Sequence, residues 1–183
     1  MLGRGADIAD RDGDGGVTPR TAALVAGAVL VAGCGGGDDG PLRPQLDQIA
    51  PAVDAVEAEL GGPQAYFEIT ADPQQVHLFV AADDATRAVQ YVYVGDELAQ
   101  LGDPQGATGG TFTADALDFD PGSVLDQVDA DLDEPDIGQF SIAGDRSGSG
   151  AVQYLVVVQS DEGGTLDIVV GGDGAVQSVA PGT

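Results

Sequence analysis

Three groups of residues have types or spacings that bear on chemistry: one cysteine, one histidine and a cluster of acids. Cys34 is the only thiol in the chain and closes the longest apolar run, TAALVAGAVLVAG over residues 21–33, which carries no charge. A core helix would not be apolar around its whole circumference and then run into three glycines, as happens at Gly35, Gly36 and Gly37. His77 is the only imidazole and alternates with Val76, Leu78 and Val80. A catalytic base needs an oriented nucleophile and a carboxylate partner, and the sequence presents neither around His77, which reads as a strand residue on a half-buried sheet. Asp126, Asp129 and Asp133 fall at i, i+3 and i+7, on one helical face opposite Leu125 and Leu132. Such a face is a candidate for collecting a divalent cation, but like charges at this spacing are routine on the solvated side of a very acidic helix, which is the preferred reading. No catalytic residue and no cofactor is expected.

The apolar run is too short for a membrane-spanning helix of about 20 residues and suits the core of a secretory signal, with Arg20 before it and small residues at its end. Its last residues, Val31-Ala32-Gly33-Cys34, resemble a bacterial lipobox. The resemblance implies diacylglyceryl transfer to the Cys34 sulfur, cleavage between Gly33 and Cys34, and acylation of the new amino terminus. The implied partner is the membrane, held through lipid on Cys34, with each buried CH₂ contributing about 0.8 kcal/mol. Residues 35–40, Gly-Gly-Gly-Asp-Asp-Gly, have the composition of a flexible polar tether.

Residues 1–19 depart from that scheme, because a signal's leading region is short and basic whereas this one holds four Asp and two Arg. Val17 reads as an alternative start that would leave VTPR as a compact cationic leader. Within the same stretch, Asp10 to Thr18 resembles an EF-hand loop, with acids at loop positions 1, 3 and 5 and Gly15 at position 6. Thr21 stands where the bidentate carboxylate belongs and no amphipathic helix precedes Asp10, so an upstream or untranslated stretch is the preferred reading.

The 183 residues carry 31 acids and 6 basic residues, every basic one Arg, for a net charge of -25. This excludes nucleic-acid binding by counterion release. A single Cys excludes a disulfide framework, and a single His makes a His-rich metal centre unattainable. Hydrophobic content of 43% is enough for a packed core.

The elements that position these residues follow from periodicity. Leu46, Ile49, Ala50, Val53, Val56 and Leu60 fall at helical spacing, with Pro51 breaking or restarting the helix and Gly61-Gly62-Pro63 ending it. Strands are expected at 65–70, 76–81 and 88–94, then a Gly/Pro linker and a short strand at 111–113. A second helix starts where Asp120 can cap the first turn and Pro121 can take the first helical position, and Val124, Leu125, Val128 and Leu132 line one face. Further strands are expected at 138–143, 152–159, 165–170 and 175–179, with Asp161-Glu162-Gly163-Gly164 as a hairpin turn. The aromatics Tyr66, Phe67, Tyr91, Tyr93, Phe140 and Tyr154 sit at strand positions and read as core and cross-strand packing.

The halves look like one unit written twice. Leu46-Asp47-Gln48-Ile49 matches Leu125-Asp126-Gln127-Val128 at an offset of 79, and Leu78, Val80, Asp84, Val92, Gly95 and Asp96 match Leu155, Val157, Asp161, Val169, Gly172 and Asp173 at 77. A competing alignment pairs Ala88-Val89-Gln90-Tyr91 with Ala151-Val152-Gln153-Tyr154 but leaves the helices unpaired. The expected fold is therefore α+β: two tandem helix-plus-antiparallel-meander units with the helices packed on one sheet face. On element order, residues 42–180 resemble the small PepSY-like domains of secreted bacterial proteins and, more loosely, the secreted β-lactamase inhibitor proteins, whose two disulfides have no cysteines here. The expected organisation is an extension and signal at 1–33, lipidated Cys34 and tether at 34–41, a first αβββ unit at 42–102, a linker at 103–114 and a second αβββ unit at 115–183. Two functions are carried forward. One is a lipid-anchored extracytoplasmic protein that binds or inhibits a partner without catalysis; the other is a small-ligand or divalent-cation-binding lipoprotein serving an envelope transporter.

Overall fold

The structure is a computed structural model and describes residues 41–117, 120–132, 135–145, 149–159, 163–171 and 175–182, all within one body, Gly35–Thr183. Gly33, Cys34, Asp133 and the Asp10–Thr18 stretch lie outside the described residues.

A 3-10 turn at Leu46–Gln48 leads into α1, Ile49–Leu60. Pro51 falls in the first turn of α1, where its missing N–H would have no helical partner in any case. Ile49, Ala52, Val53 and Val56 are buried, the helical spacing that makes one face apolar. Gly61 ends the helix with φ +80 and Gly62 donates to the Glu57 carbonyl at 2.8 Å, so a residue free to adopt positive φ closes the last turn. The second helix, α2, runs Pro121–Asp131, with the Asp120 carboxylate accepting from the Gly122 amide at 2.9 Å.

Nine strands form one antiparallel sheet: β1 Ala65–Ala71, β2 Val76–Ala82, β3 Arg87–Val94, β4 Glu97–Gly106, β5 Phe112–Thr113, β6 Asp136–Gly144, β7 Val152–Gln159, β8 Thr165–Gly171 and β9 Val176–Pro181. Their order is β4-β3-β2-β1-β6-β7-β8-β9, with β5 pairing a short stretch of β1. The expectation of two tandem helix-plus-meander units is thereby overturned. The first strands of the two expected units, β1 and β6, pair with each other from Glu68↔Ala143 to Ala71↔Phe140, so all the strands share one sheet. Among the described residues, only two short α-helices accompany it. The expected linker is not a linker throughout: residues 103–106 complete β4, and Phe112–Thr113 pairs with β1.

The repeat alignment also fails residue by residue in β2 and β7. Leu78 and Val80 are buried with the helices, whereas their offset-77 counterparts Leu155 and Val157 alternate onto the other face, since it is Tyr154, Val156 and Val158 that are buried. A one-residue slip moves a strand's side chains to the opposite face, so this correspondence cannot be structural.

The buried faces of α1 and α2 join the inner residues of the sheet in one core that includes Tyr66, Ile69, Leu78, Phe140, Ile142, Tyr154 and Val156. The Tyr66 and Phe112 rings lie 6.0 Å apart, and those of Phe140 and Tyr154 lie 5.7 Å apart. Tyr91 and Tyr93 are buried as well, so these aromatics pack as their strand positions imply, while Phe67 is half-buried at a bulge. Beside the seam, Gly110 bridges Gly144. A Cβ on Gly144 would stand 2.5 Å from the Gly110 carbonyl oxygen, and one on Gly110 would fall on the Asp145 carbonyl, so both positions demand glycine.

Candidate functional site: the sheet face turned away from the helices

The strand registers place one residue from each of eight strands in a single row across the face turned away from the helices. Thr70 pairs with Ser141 on one side and His77 on the other. Ser141 continues to Leu155, Val169 and Ser178, and His77 continues to Val92 and Ala99. Phe79 opposite Gln90 and Val157 opposite Asp167 flank that row. Phe79, Val92, Leu155, Val157 and Val169 are half-buried, and none of them belongs to the helix-side core or packs against it. Antiparallel sheets with one solvated face ordinarily make it polar. Here β2, β3, β7 and β8 put apolar side chains on both faces.

The centre of the row is polar and fully paired. Thr70 Oγ1 donates to Glu68 Oε1 at 2.7 Å and lies 2.8 Å from Ser141 Oγ. A hydroxyl has one hydrogen, so the Ser141 hydroxyl must donate to Thr70. Gln139 Nε2 in turn donates to Ser141 Oγ at 2.9 Å. The result is a one-way chain of hydrogen bonds, Gln139 to Ser141 to Thr70 to the Glu68 carboxylate, that crosses the β6–β1 seam. Ser141 is 2% exposed, so its hydroxyl is neither accessible nor held by a base, and the chain fixes register rather than presenting a nucleophile.

His77 is on this face at the edge of the polar centre. Its Nε2 is 3.8 Å from Asp72 Oδ2, and its Nδ1 is 3.3 Å from Gln90 Nε2. Asp72 also serves the β1–β2 turn: its Oδ1 accepts from the amides of Gln74 at 2.7 Å and Gln75 at 2.9 Å. The histidine therefore has a carboxylate nearby, beyond hydrogen-bond distance, that the sequence did not disclose, and no hydroxyl or thiol is hydrogen-bonded to it among the described residues.

The acidic helix face separates on inspection. Asp126 is exposed, whereas Asp129 Oδ1 accepts from Arg43 Nη2 at 3.0 Å, and Arg43 Nη1 donates to the Pro135 carbonyl at 2.6 Å. A carboxylate so engaged is not an unencumbered cation ligand, and no group of three metal-ligating side chains occurs among the described residues. Arg43 belongs instead to a latch that starts the body. The Leu42 amide donates to Asp136 Oδ1 at 2.7 Å, the Leu42 carbonyl accepts from Ile137 at 2.9 Å, and the Gln45 amide donates to the Asp72 carbonyl at 3.1 Å. The chain that follows the expected tether is thus pinned to both sides of the β1–β6 seam within four residues.

One buried group is left over on the helix side. The Tyr66 hydroxyl makes no hydrogen bond of normal geometry, and burial, followed by the nearby Glu57 and Asp54 carboxylates, pushes its pKa above the usual 10.0.

No protein-family model matches the sequence, and no curated protein matches it. A crystal structure from Clostridium difficile 630, of a protein provisionally named a lipoprotein, is similar at a TM-score of 0.47 and 13% identity, covering 72% of this chain and 90% of that one. A likeness of that degree carries no argument about function. No helix among the described residues is long and apolar enough to cross a membrane.

Proposed function

We propose that this chain is a lipid-anchored extracytoplasmic protein that binds, and by binding inhibits or recruits, another protein through the face of its sheet turned away from α1 and α2. The observation that carries the anchoring is the sole thiol, Cys34, closing the uncharged run at 21–33 after Val31-Ala32-Gly33. In this reading residues 1–33 are an extension and signal and residues 34–41 an acylated cysteine with its tether. The latch at Leu42 and Arg43 supports it, because a body held by its amino terminus needs a firm first attachment, and here that attachment spans the seam. The binding role is supported by the row itself: apolar wings of Leu155 and Val169 on one side and Val92 on the other, around hydroxyls that are already paired. Half-buried apolar residues gathered on one face mark an interaction surface. Binding is favoured over catalysis because Ser141, Thr70 and Glu68 satisfy one another.

Membrane fractionation of the natively expressed protein, beside a Cys34→Ala variant, tests the reading. Wild type is expected with the membranes and the variant in the soluble extracytoplasmic or secreted fraction. Wild type found in the soluble cytosolic extract overturns it.

A further inference from the structure

The two edges of the sheet differ in charge, and the difference points to a second binding surface. Edge strands offer unpaired backbone N–H and C=O groups, and proteins guard them with charge, proline and bulges. β4 has these guards: Glu97 and Asp103, Pro104, Gly102 at φ +68 and a register break in its pairing with β3. β9 also ends on a proline, Pro181, and breaks register with β8 between Val176 and Ser178, but it has no charged residue, and its Val176 and Val179 are 48% and 57% exposed. Beside it lies an apolar groove of about 130 Å³ between α2 and the sheet, lined by Val128, Leu132, Leu166, Ile168, Val176 and Val179.

Charge selects the occupant. With a net charge of -25, two copies brought edge to edge would repel. The arginines among the described residues, Arg43 and Arg87, both face acids, Asp129 at 3.0 Å and Asp83 at 3.8 Å, so they offer a cationic segment little opposition. Asp167 stands beside Ala180 on the strand next to the edge. We propose that β9 accepts an extended segment of a partner protein as a further strand, with apolar side chains at alternate positions entering the α2 groove and Lys or Arg at the positions between. Main-chain hydrogen bonds supply the affinity and the groove supplies the choice of side chain. This surface is separate from the outer sheet face, and its use does not depend on acylation of Cys34.

The test uses the full chain and a synthetic peptide of alternating Val and Lys, with an otherwise identical peptide N-methylated at every second amide. Titration followed by backbone amide resonances is expected to perturb β9 and the α2 groove first. The N-methylated peptide and a Val179→Glu variant are each expected to bind at least tenfold more weakly. Val179 is exposed, so the variant is expected to remain folded, and retention of the wild-type amide pattern elsewhere checks this. The proposal is overturned if the N-methylated peptide binds equally well, if perturbations centre on Asp126 and the other exposed acids rather than β9, or if sedimentation shows the chain pairing with itself through β9.

Discussion

The two faces of the sheet are made from the same strands but have different fates. On the helix side, Leu78 is fully buried among Val56, Ile69 and Tyr91; on the other side, Leu155 is half-buried beside Ser141 and Val169, on the face turned away from α1 and α2. The inner face is where burial energy is collected. The outer face keeps apolar side chains that are only half-buried, and these are expected to contribute less to folding. The edges differ as well: β4 carries Glu97 and Asp103, whereas β9 carries no charge.

Substitutions can break this comparison, beginning with the largest effect. Leu78→Ala is expected to cost about 2–5 kcal/mol in urea denaturation, as buried leucines do. Leu155→Ala is expected to cost well under half of that, and equal costs would mean that the outer face is part of the core. Gly144→Ala follows, at about 1–3 kcal/mol, because the new methyl must displace the backbone of Gly110 and Thr111. Thr70→Val is expected to cost about 1–3 kcal/mol by stranding the buried Ser141 hydroxyl. Adding Ser141→Ala should then recover part of the loss, a non-additivity that denaturation of the double variant would reveal. The smallest effect sharpens the inner face alone. The Tyr66 phenol keeps its proton in the folded chain at a pH where the unfolded chain releases it, so stability falls as pH rises past 10.0. Tyr66→Phe is expected to be neutral or slightly stabilising at neutral pH and to remove part of that alkaline slope, measured by thermal unfolding across pH.

Much of the local structure was legible in the residues. Asp120 and Pro121 start α2 as their types require, and the alternation in Val76–Ala82 and Val152–Gln159 marks strands. β4 was missed because an exposed edge strand needs no alternation and tolerates Gly102, Asp103 and Pro104, which otherwise read as a linker. The single sheet was missed because the β1–β6 pairing joins residues about seventy positions apart and no local pattern encodes such a partner. The candidate site was hidden for the same reason: Thr70, Ser141 and His77 are ordinary strand residues until the register aligns them. One signal was present. Leu155 and Val157 occupy the parity that a solvated face would fill with polar residues.

The proposed face and the proposed anchor meet in one claim, that a body binding a partner through its outer sheet face is held to a membrane through Cys34. The most direct measurement is the intact mass of the protein extracted from membranes of the cells that make it. The account predicts a chain beginning at Cys34 and carrying a diacylglyceryl group and an amino-terminal acyl chain. A mass that retains residues 1–33 with a free thiol would contradict it.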